Sequence, residues 1–575
     1  MNDYPIVLGI NYGGHDTSAC LLKNGKLIAA CEEERYSKVK HTREFPINAI
    51  NDCLKKARIV IDDVHEIAIT YDPIYMIREN YLRSALEDEK RIEFLINDFD
   101  RIKQTFYIQE LIREKTNFKG NISYHLHHLC HLASSYYVSG FDEALLVSHD
   151  GIGEIESSRF AIGKNGEITT IHEGTRYPNS LGLFYSAITH YLGWKHHSDE
   201  GIIMGLAPYG NDKKIVPGSK KTYEEIFEEI ITEVGEYDFK IDPTWISYYH
   251  VRDKWISDKF IEVFGPVRKP ESELTEHHKN IAAALQNRIE KIILQQLKTA
   301  RQKSNSKKLC FSGGVALNCS LNGKIIESNI FEEIFVQPAS GDNGAALGAC
   351  LLSHKKLSGE LKPKKIHDYY LGSDFSNDEI KKILDENRVK YSFHDNISEK
   401  TALALNNKKI VGWFQGGAEF GPRALGNRSI LTAPFPASMK DYLNSRVKFR
   451  EEFRPFAPSI LSEYAGDYFS ISQESPHMLI AANVKEDKIS EIPAVVHVDN
   501  TARIQTVTNE NNLIFRKLLE SFFNLTRCPV ILNTSFNVKG QPIVNSPEDA
   551  LNCFLNTNID VLVLGNFFIS KDNIQ

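Results

Sequence analysis

Four of the chain's 20 histidines fall in His125-Leu-His127-His128-Leu-Cys-His131. His127 and His131 are four apart, so a helix would place both rings on one face, one turn apart. Two neutral imidazoles so placed can share a metal ion when carboxylates or water complete the shell. A surface helix that is merely rich in histidine gives the same pattern. A carboxylate is available from Asp342 in Ser340-Gly-Asp-Asn-Gly344, just before a run of small residues. Asp342 would serve equally as the N-cap of the helix that this run predicts. A second chemistry is carried near the C-terminus. There Arg423, Lys448, Arg454 and Arg503 are set among Gly, Pro and Ser rather than along a helical stripe, and Asn533 follows in Leu532-Asn-Thr-Ser-Phe-Asn537. Arginine grips phosphate bidentately and lysine adds a point charge, so the group suits a small anion bearing a phosphate and a carbonyl. Ordinary surface ion pairs are the alternative.

The elements that must position these groups begin with a repeat. Residues 6–10 form an apolar run, Asn11-Tyr-Gly-Gly-His15-Asp16-Thr-Ser18 a polar turn, and residues 19–22 and 27–30 two further runs around Asn24-Gly25. Asn-Gly between apolar runs is a hairpin signal. The same order returns at residues 143–148, the loop His149-Asp150-Gly-Ile-Gly-Glu154, residues 158–162, Asn165-Gly166 and residues 168–171. A repeated unit of this kind predicts two lobes facing a cleft, with loop N–H groups able to cradle phosphate. Residues 309–312 predict a strand entering the Gly313-Gly314 turn and then a helix; a plain tight turn explains it as well. Residues 211–306 read as helical and irregular, with an amphipathic helix over 281–294. The aromatic stretch 236–270, with Trp245, Tyr248, Tyr249, His250 and Trp255, lines an acceptor pocket or simply fills a core. Residues 355–367 lack periodicity, which divides the chain into domains at 1–355 and 368–575 with a linker over 356–367. A helix over 377–387 and a strand over 410–414 are predicted in the second domain.

Two such halves resemble the superfamily of acetate and sugar kinases, heat-shock ATPases and actin, in which a turn like Gly313-Gly314 packs on adenosine. His127, His131 and Asp342 together are similar to the iron-binding pattern of the universal tRNA threonylcarbamoyl-transfer protein. That resemblance implies these three as metal ligands, with Asp150 as a fourth or as a carboxylate on the phosphate side. Two histidines with carboxylates suit Fe(II) or another divalent metal. The whole chain looks like an O-carbamoyltransferase of the nodulation and antibiotic-biosynthesis family, which includes the tobramycin and cephem carbamoyltransferases. The resemblance rests on Gly14-His15-Asp16-Thr-Ser18-Ala19, Glu32-Glu-Glu-Arg-Tyr36, Lys40-His41, Ser180-Leu-Gly182-Leu-Phe-Tyr185, Met204-Gly-Leu-Ala-Pro-Tyr-Gly210, Gly313-Gly314 and Asp342.

The family implies an α/β fold: a duplicated acetate/sugar kinase–actin-like N-terminal domain and a C-terminal domain similar to the fold that makes threonylcarbamoyl-adenylate. It implies His15 as the general base beside the acceptor hydroxyl, a role that suits a side chain titrating near neutral pH; a loop histidine bonded to backbone is the alternative. It implies Lys40, Gly182, Gly313, Gly314 and Asn318 at the nucleotide or carbamoyl-adenylate, although Lys40 also fits as a solvated lysine. Arg423, Lys448, Arg454, Arg503 and Asn533 would hold carbamoyl phosphate and the ATP phosphates, with Mg²⁺ accompanying ATP. The tobramycin enzyme has an acidic residue where this chain has Gly13, which argues against a cationic aminoglycoside acceptor.

Composition bounds the rest. A chain of 575 residues predicts two to four domains at roughly 150 residues each. A net charge of −7 speaks against bulk binding to nucleic acid or anionic membrane. Nine scattered cysteines without a C-x-x-C pair predict buried thiols in a reducing cytosol. No basic leader and no run near about 18 apolar residues is present, so a cytoplasmic location is expected. The expected enzyme makes carbamoyl-adenylate from carbamoyl phosphate and ATP, then carbamoylates a hydroxyl of a small molecule such as a natural product or sugar; a homodimer is compatible. Its rivals are carbamoyl or threonylcarbamoyl transfer to a protein thiol or to tRNA, and a small-molecule kinase.

Overall fold

The apolar runs and Asn-Gly turns fold where their periodicity places them. In the computed structural model, which describes residues 5–573, β1 (Val7–Asn11), β2 (Ser18–Lys23) and β3 (Lys26–Glu32) follow one another, with Asn24 and Gly25 both at positive φ, 54° and 68°. Two such residues give a turn whose twist matches the flanking strands. β4 (Glu66–Ile69) joins β1 in parallel and β5 (Asn121–Tyr124) joins β4, for an order β3-β2-β1-β4-β5. β6 (Glu143–His149), β7 (Ser158–Lys164) and β8 (Glu167–His172) repeat the pattern around Asn165-Gly166. After a separate hairpin of β9 (Ile231–Val234) and β10 (Asp238–Ile241), β11 (Lys308–Ser312) and β12 (Glu333–Val336) add parallel strands, for an order β12-β11-β6-β7-β8. Both sheets thus share one topology. The duplication expected from two hairpins covers two complete five-stranded sheets, in a mixed α/β fold.

Five helices matter for the site: α1 (His127–Ser139), α2 (Leu181–Tyr191), α3 (Glu276–Ser304), α4 (Cys319–Glu327) and α5 (Asp342–Ser358). α1 is buried along nearly its whole length, which removes the surface-helix reading of the histidine run. It packs on α5 through small residues. A Cβ at Gly348 would meet the Cys130 carbonyl oxygen at 1.8 Å, and one at Gly9 of β1 would meet the Ala346 carbonyl at 2.1 Å. The Gly-Ala-Ala-Leu-Gly run therefore lets α5 lie against both α1 and β1. Gly348→Ala is expected to force these backbones apart at an overpacking cost of about 1–3 kcal/mol. The check is the denaturant midpoint, and an unchanged midpoint would mean the contact relaxes freely. α5 runs to Ser358, so the expected 356–367 linker begins inside its last turn.

Contacts divide the chain into two compact units: residues 5–28, 43–50 and 57–365, and residues 29–42, 51–56 and 366–573. Glu32 to Tyr36 and Lys40 therefore belong to the second unit, although they lie far from it in sequence. Arg35 shows why: its guanidinium pairs with Glu32 at 2.6 Å and donates to the Gly421 carbonyl at 2.8 Å. Tyr36 hydroxyl donates to Asp52 at 2.9 Å.

The second unit is built on nine strands: β13 (Ser392–Phe393), β14 (Val411–Phe414), β15 (Arg428–Thr432), β16 (Ala457–Leu461), β17 (Ile480–Asn483), β18 (Thr501–Val507), β19 (Val530–Ser535), β20 (Val561–Leu564) and β21 (Phe567–Ser570). Their order is β13-β21-β20-β14-β15-β19-β16-β18-β17. The sheet packs its Trp413, Ile430, Ile531 and Leu562 in one core with Phe515 and Phe522 of α6 (Leu513–Thr526). All nine cysteines are free and buried, and no helix among the described residues is long and apolar enough to cross a membrane.

Candidate functional site

The i, i+4 spacing brings His127 and His131 together at the start of α1, with their Nε2 atoms 3.0 Å apart. Asp150, just after β6, puts Oδ2 at 3.3 Å from His127 and 3.6 Å from His131. Asp342, in the first turn of α5, puts Oδ1 at 3.5 Å and 4.0 Å from the same two nitrogens. The N-cap of α5 is Gly341, and Asp342 makes no capping bond, so its carboxylate faces the histidines instead. The four donor atoms lie within 4.8 Å of one another. Donors about 2.1 Å from a shared ion stand about 3.0–3.4 Å apart, so the pair of facing nitrogens fits a common cation. Burial works against charge on His127, yet Asp342 and Asp150 outweigh it and hold its pKa well above the ordinary range. Likewise burial opposes the Asp150 charge, but His127 and His131 hold its carboxyl well below the ordinary range. The cluster thus favours positive charge at its centre, which a divalent cation would supply.

The remaining histidines of the run are structural. His128 bonds Ser148 Oγ at 2.8 Å and the Glu156 carbonyl at 2.9 Å, and burial holds it well below the ordinary range. His125 bonds Ser353 Oγ at 2.7 Å and burial pulls it down to about 4.

His15 stands in the loop between β1 and β2. Asn11 fixes that loop by donating to the main-chain carbonyls of His15 and Asp16 at 3.2 Å and 3.0 Å. Nδ1 of His15 donates to Asp16 Oδ2 at 2.8 Å, which leaves Nε2 as the basic nitrogen. The side chain is 31% exposed, open enough to meet a substrate. Burial lowers its pKa, but Asp342, Asp16 and Asp150 outweigh that and push it up to about 10. A cation between Asp342 and Asp150 would oppose that field. A Cβ on Gly14 would lie 3.4 Å from Asp342 Oδ2, so the His15 loop borders the histidine–aspartate cluster.

The glycine turns converge on Asp150. The Gly314 N–H donates to its Oδ1 at 2.7 Å. Gly313 takes φ 85°, and a Cβ there would clash with the His149 carbonyl at 2.1 Å. Gly182, in the first turn of α2, approaches the Asp150 carbonyl so closely that a Cβ would stand 2.7 Å from it. Asn318 has partners within the chain. It caps α4 through Leu321 N–H at 3.0 Å and exchanges two amide bonds with Gln286 at 2.9 Å and 3.0 Å.

In the second unit, Lys448 and Arg454 gather with Arg450, Arg503 and Lys40. Burial first, then Arg454 and Arg503, hold Arg450 well below the ordinary guanidinium range. Burial, then Arg450, Arg454 and Lys40, act the same way on Lys448. Lys448 Nζ is engaged by the chain itself, donating to Ser535 O and Asn537 Oδ1, both at 2.7 Å. Arg454 approaches Glu451 at 3.5 Å. Asn533 lies fully buried in β19, donating to Ser459 Oγ and Gln505 Oε1, both at 3.1 Å. It also reaches the Ala424 carbonyl at 3.4 Å, next to half-buried Arg423.

The carbamoyltransferase N-terminus family model matches residues 6–351, and the carbamoyltransferase C-terminus model matches residues 402–571. The chain belongs to the carbamoyltransferase family. It is 38% identical to an uncharacterised protein of Synechocystis, over 98% of this chain and 96% of that one. Nodulation protein NolNO of Sinorhizobium fredii is 35% identical, over 97% of this chain and 79% of its own. The 3'-hydroxymethylcephem-O-carbamoyltransferase of Streptomyces clavuligerus is 30% identical, over 68% of this chain and 69% of its own.

Two residues of this carbamoyltransferase matter that sequence reasoning left out. Glu154 is buried and accepts the His127 main-chain N–H at 3.0 Å and the Asp72 N–H at 2.9 Å. It caps the helix that carries both histidines, as acidic side chains do at helix N-termini. Its neighbours in sequence gave no signal, because its partners lie 27 and 82 residues away. Arg450 was visible in Lys448-Phe-Arg450, but only the fold brings it beside Arg454 and Arg503.

Proposed function

We propose that this carbamoyltransferase works in two steps and depends on ATP. In the first, carbamoyl phosphate loses its phosphate to water. The carbamate oxygen then attacks the α-phosphate of ATP and pyrophosphate leaves, giving carbamoyl-adenylate. The positive charge of Arg423, Arg450, Arg454, Arg503 and Lys40 suits these anions, and Mg²⁺ accompanies the ATP. In the second step, His15 Nε2 takes the proton of an acceptor hydroxyl. The hydroxyl oxygen bonds to the carbamoyl carbon, the bond from that carbon to the AMP phosphate oxygen breaks, and AMP leaves. His127, His131, Asp150 and Asp342 would hold Fe(II) or another divalent ion, which supplies positive charge for the adenylate phosphate. The acceptor is a small molecule, a natural product or a sugar, and the reaction belongs in the cytoplasm.

The observation that carries this reading is the buried two-histidine, two-aspartate cluster bordered by the His15 loop, in a chain of the carbamoyltransferase family. The test is carbamoyl-phosphate-dependent ATP–pyrophosphate exchange. Arg454→Ala is expected to remove it, since loss of a charge-assisted contact to a buried anion costs about 2–5 kcal/mol, at least about 30-fold. Normal exchange in the variant would assign Arg454 to structure through Glu451. Absence of exchange in the unaltered enzyme would refute the two-step route.

A further inference from the structure

Two residues before His15, the main-chain carbonyl of Gly13 accepts a hydrogen bond from Arg101 at 3.3 Å. Gly13 has φ 101°, and a Cβ there would lie 2.9 Å from the Tyr71 hydroxyl oxygen. This position therefore offers backbone and a neighbouring guanidinium, and no carboxylate. On another side His15 stacks on His197, ring centroids 5.3 Å apart. His197 meets Trp255 at 5.1 Å, and His196 meets Trp255 at 4.3 Å. All three of these rings are half-buried. Burial and neighbouring positive groups, Arg43 among them, pull His196 down to about 4 and His197 to about 3. Both are therefore neutral at neutral pH and pack around the indole, His197 edge-on and His196 tilted.

The charges that act on Arg43 are those of two more arginines, Arg101 and Arg252. Arg252 is spent: it pairs with Asp98, and its guanidinium covers the Phe94 ring at 4.1 Å. Among the described residues no carboxylate pairs with Arg43 or Arg101. Two exposed guanidiniums without a carboxylate partner among the described residues, one of them bonded to the loop that carries His15, make an arrangement that a ligand's anion completes. Flat rings next to them can pack against the apolar body of that ligand.

We propose that the acceptor is a hydroxyl compound carrying an anionic group, phosphate or carboxylate, bound by Arg43 and Arg101, with its body against Trp255 and its hydroxyl at His15. The proposal rests on reading the His15 loop as the acceptor site. The anion recognised there is of the acceptor itself, distinct from the phosphates of ATP.

Binding rather than turnover is the test, followed by tryptophan fluorescence of the full chain. Matched sugars are titrated: methyl glucoside against glucose 1-phosphate, methyl glucoside against glucuronate, and N-acetylglucosamine against its 1-phosphate. At least one anionic member is expected to saturate tenfold or more tighter than its neutral partner. Its signal should disappear in Trp255→Phe and weaken at least tenfold in the double variant Arg43→Ala/Arg101→Ala. The phosphate and carboxylate arms show which anion is preferred. Equal affinity within every pair, no saturating member, or an anion affinity unchanged in the double variant would overturn the proposal. Failure of pyrophosphate exchange with anion binding intact would instead count against the two-step chemistry and leave the acceptor class standing.

Discussion

His127→Ala is expected to abolish bound metal and carbamoyl transfer together, and Asp342→Ala to do the same. Each removes one of four donors lying within 4.8 Å of one another. The loss should exceed the about 10–100-fold drop that follows removal of a group merely supporting a ligand. The remaining donors cannot move to compensate. His131 is fully buried in α1, and Asp150 is fixed through the Gly314 N–H at 2.7 Å. The fold should survive, since α5 rests on α1 through Gly348 and on β1 through Ala346 rather than through the ligands. A pH dependence follows from the same electrostatics. Asp342 and Asp150 hold the His127 pKa well above the ordinary imidazole range against the effect of burial. At neutral pH without the ion, His127 therefore keeps a proton that the ion must displace. Metal affinity should rise with pH, and uptake should release protons. Calorimetry in two buffers of different ionisation enthalpy measures the release, and elemental analysis measures the content. Full metal in both variants would remove the site.

What could be read from the sequence was what is local. Asn24-Gly25 and Asn165-Gly166 fix their hairpins within a few residues, and His127 and His131 need only one helical turn to meet. The rest depends on contacts between distant segments. β11 joins β6 across 164 residues of chain, Leu145 pairing with Leu309, and β12 joins β11. No local pattern announces that residues 29–42 belong with the C-terminal unit, because Arg35 earns that place by its bond to Gly421. Sequence type also says nothing of how a side chain is spent. Lys448 has the residue type expected of a phosphate contact, yet its ammonium is held by Ser535 and Asn537. Asn318 has the type expected of a nucleotide contact, yet its amide caps α4 and bonds Gln286. Glu154 carries no local signal because its value is positional: it holds the first turn of α1.

His15→Ala is expected to separate the two chemical steps. Carbamoyl-adenylate formation should continue, while transfer falls by about two to four orders of magnitude, the usual contribution of a general base. The separation follows from where the groups lie. His15 belongs to the first compact unit, and the arginines assigned to activation belong to the second. The base must also be able to accept a proton. Asp16 takes the Nδ1 proton at 2.8 Å and so orients Nε2 for that purpose. In the field of Asp342, Asp16 and Asp150 the ring is pushed up to about 10, despite burial; a cation held by Asp342 and Asp150 would lower it toward the neutral range in which it can act. Metal removal and His15→Ala should therefore both stop transfer, but only the former should also change the metal content. The measurement is paired: pyrophosphate release without acceptor, and carbamoylated product formed from labelled carbamoyl phosphate and cell extract. Equal loss of both activities would mean that His15 is structural or that one site serves both steps. Unchanged transfer would move the role of base to another group, with Asp16 the nearest carboxylate.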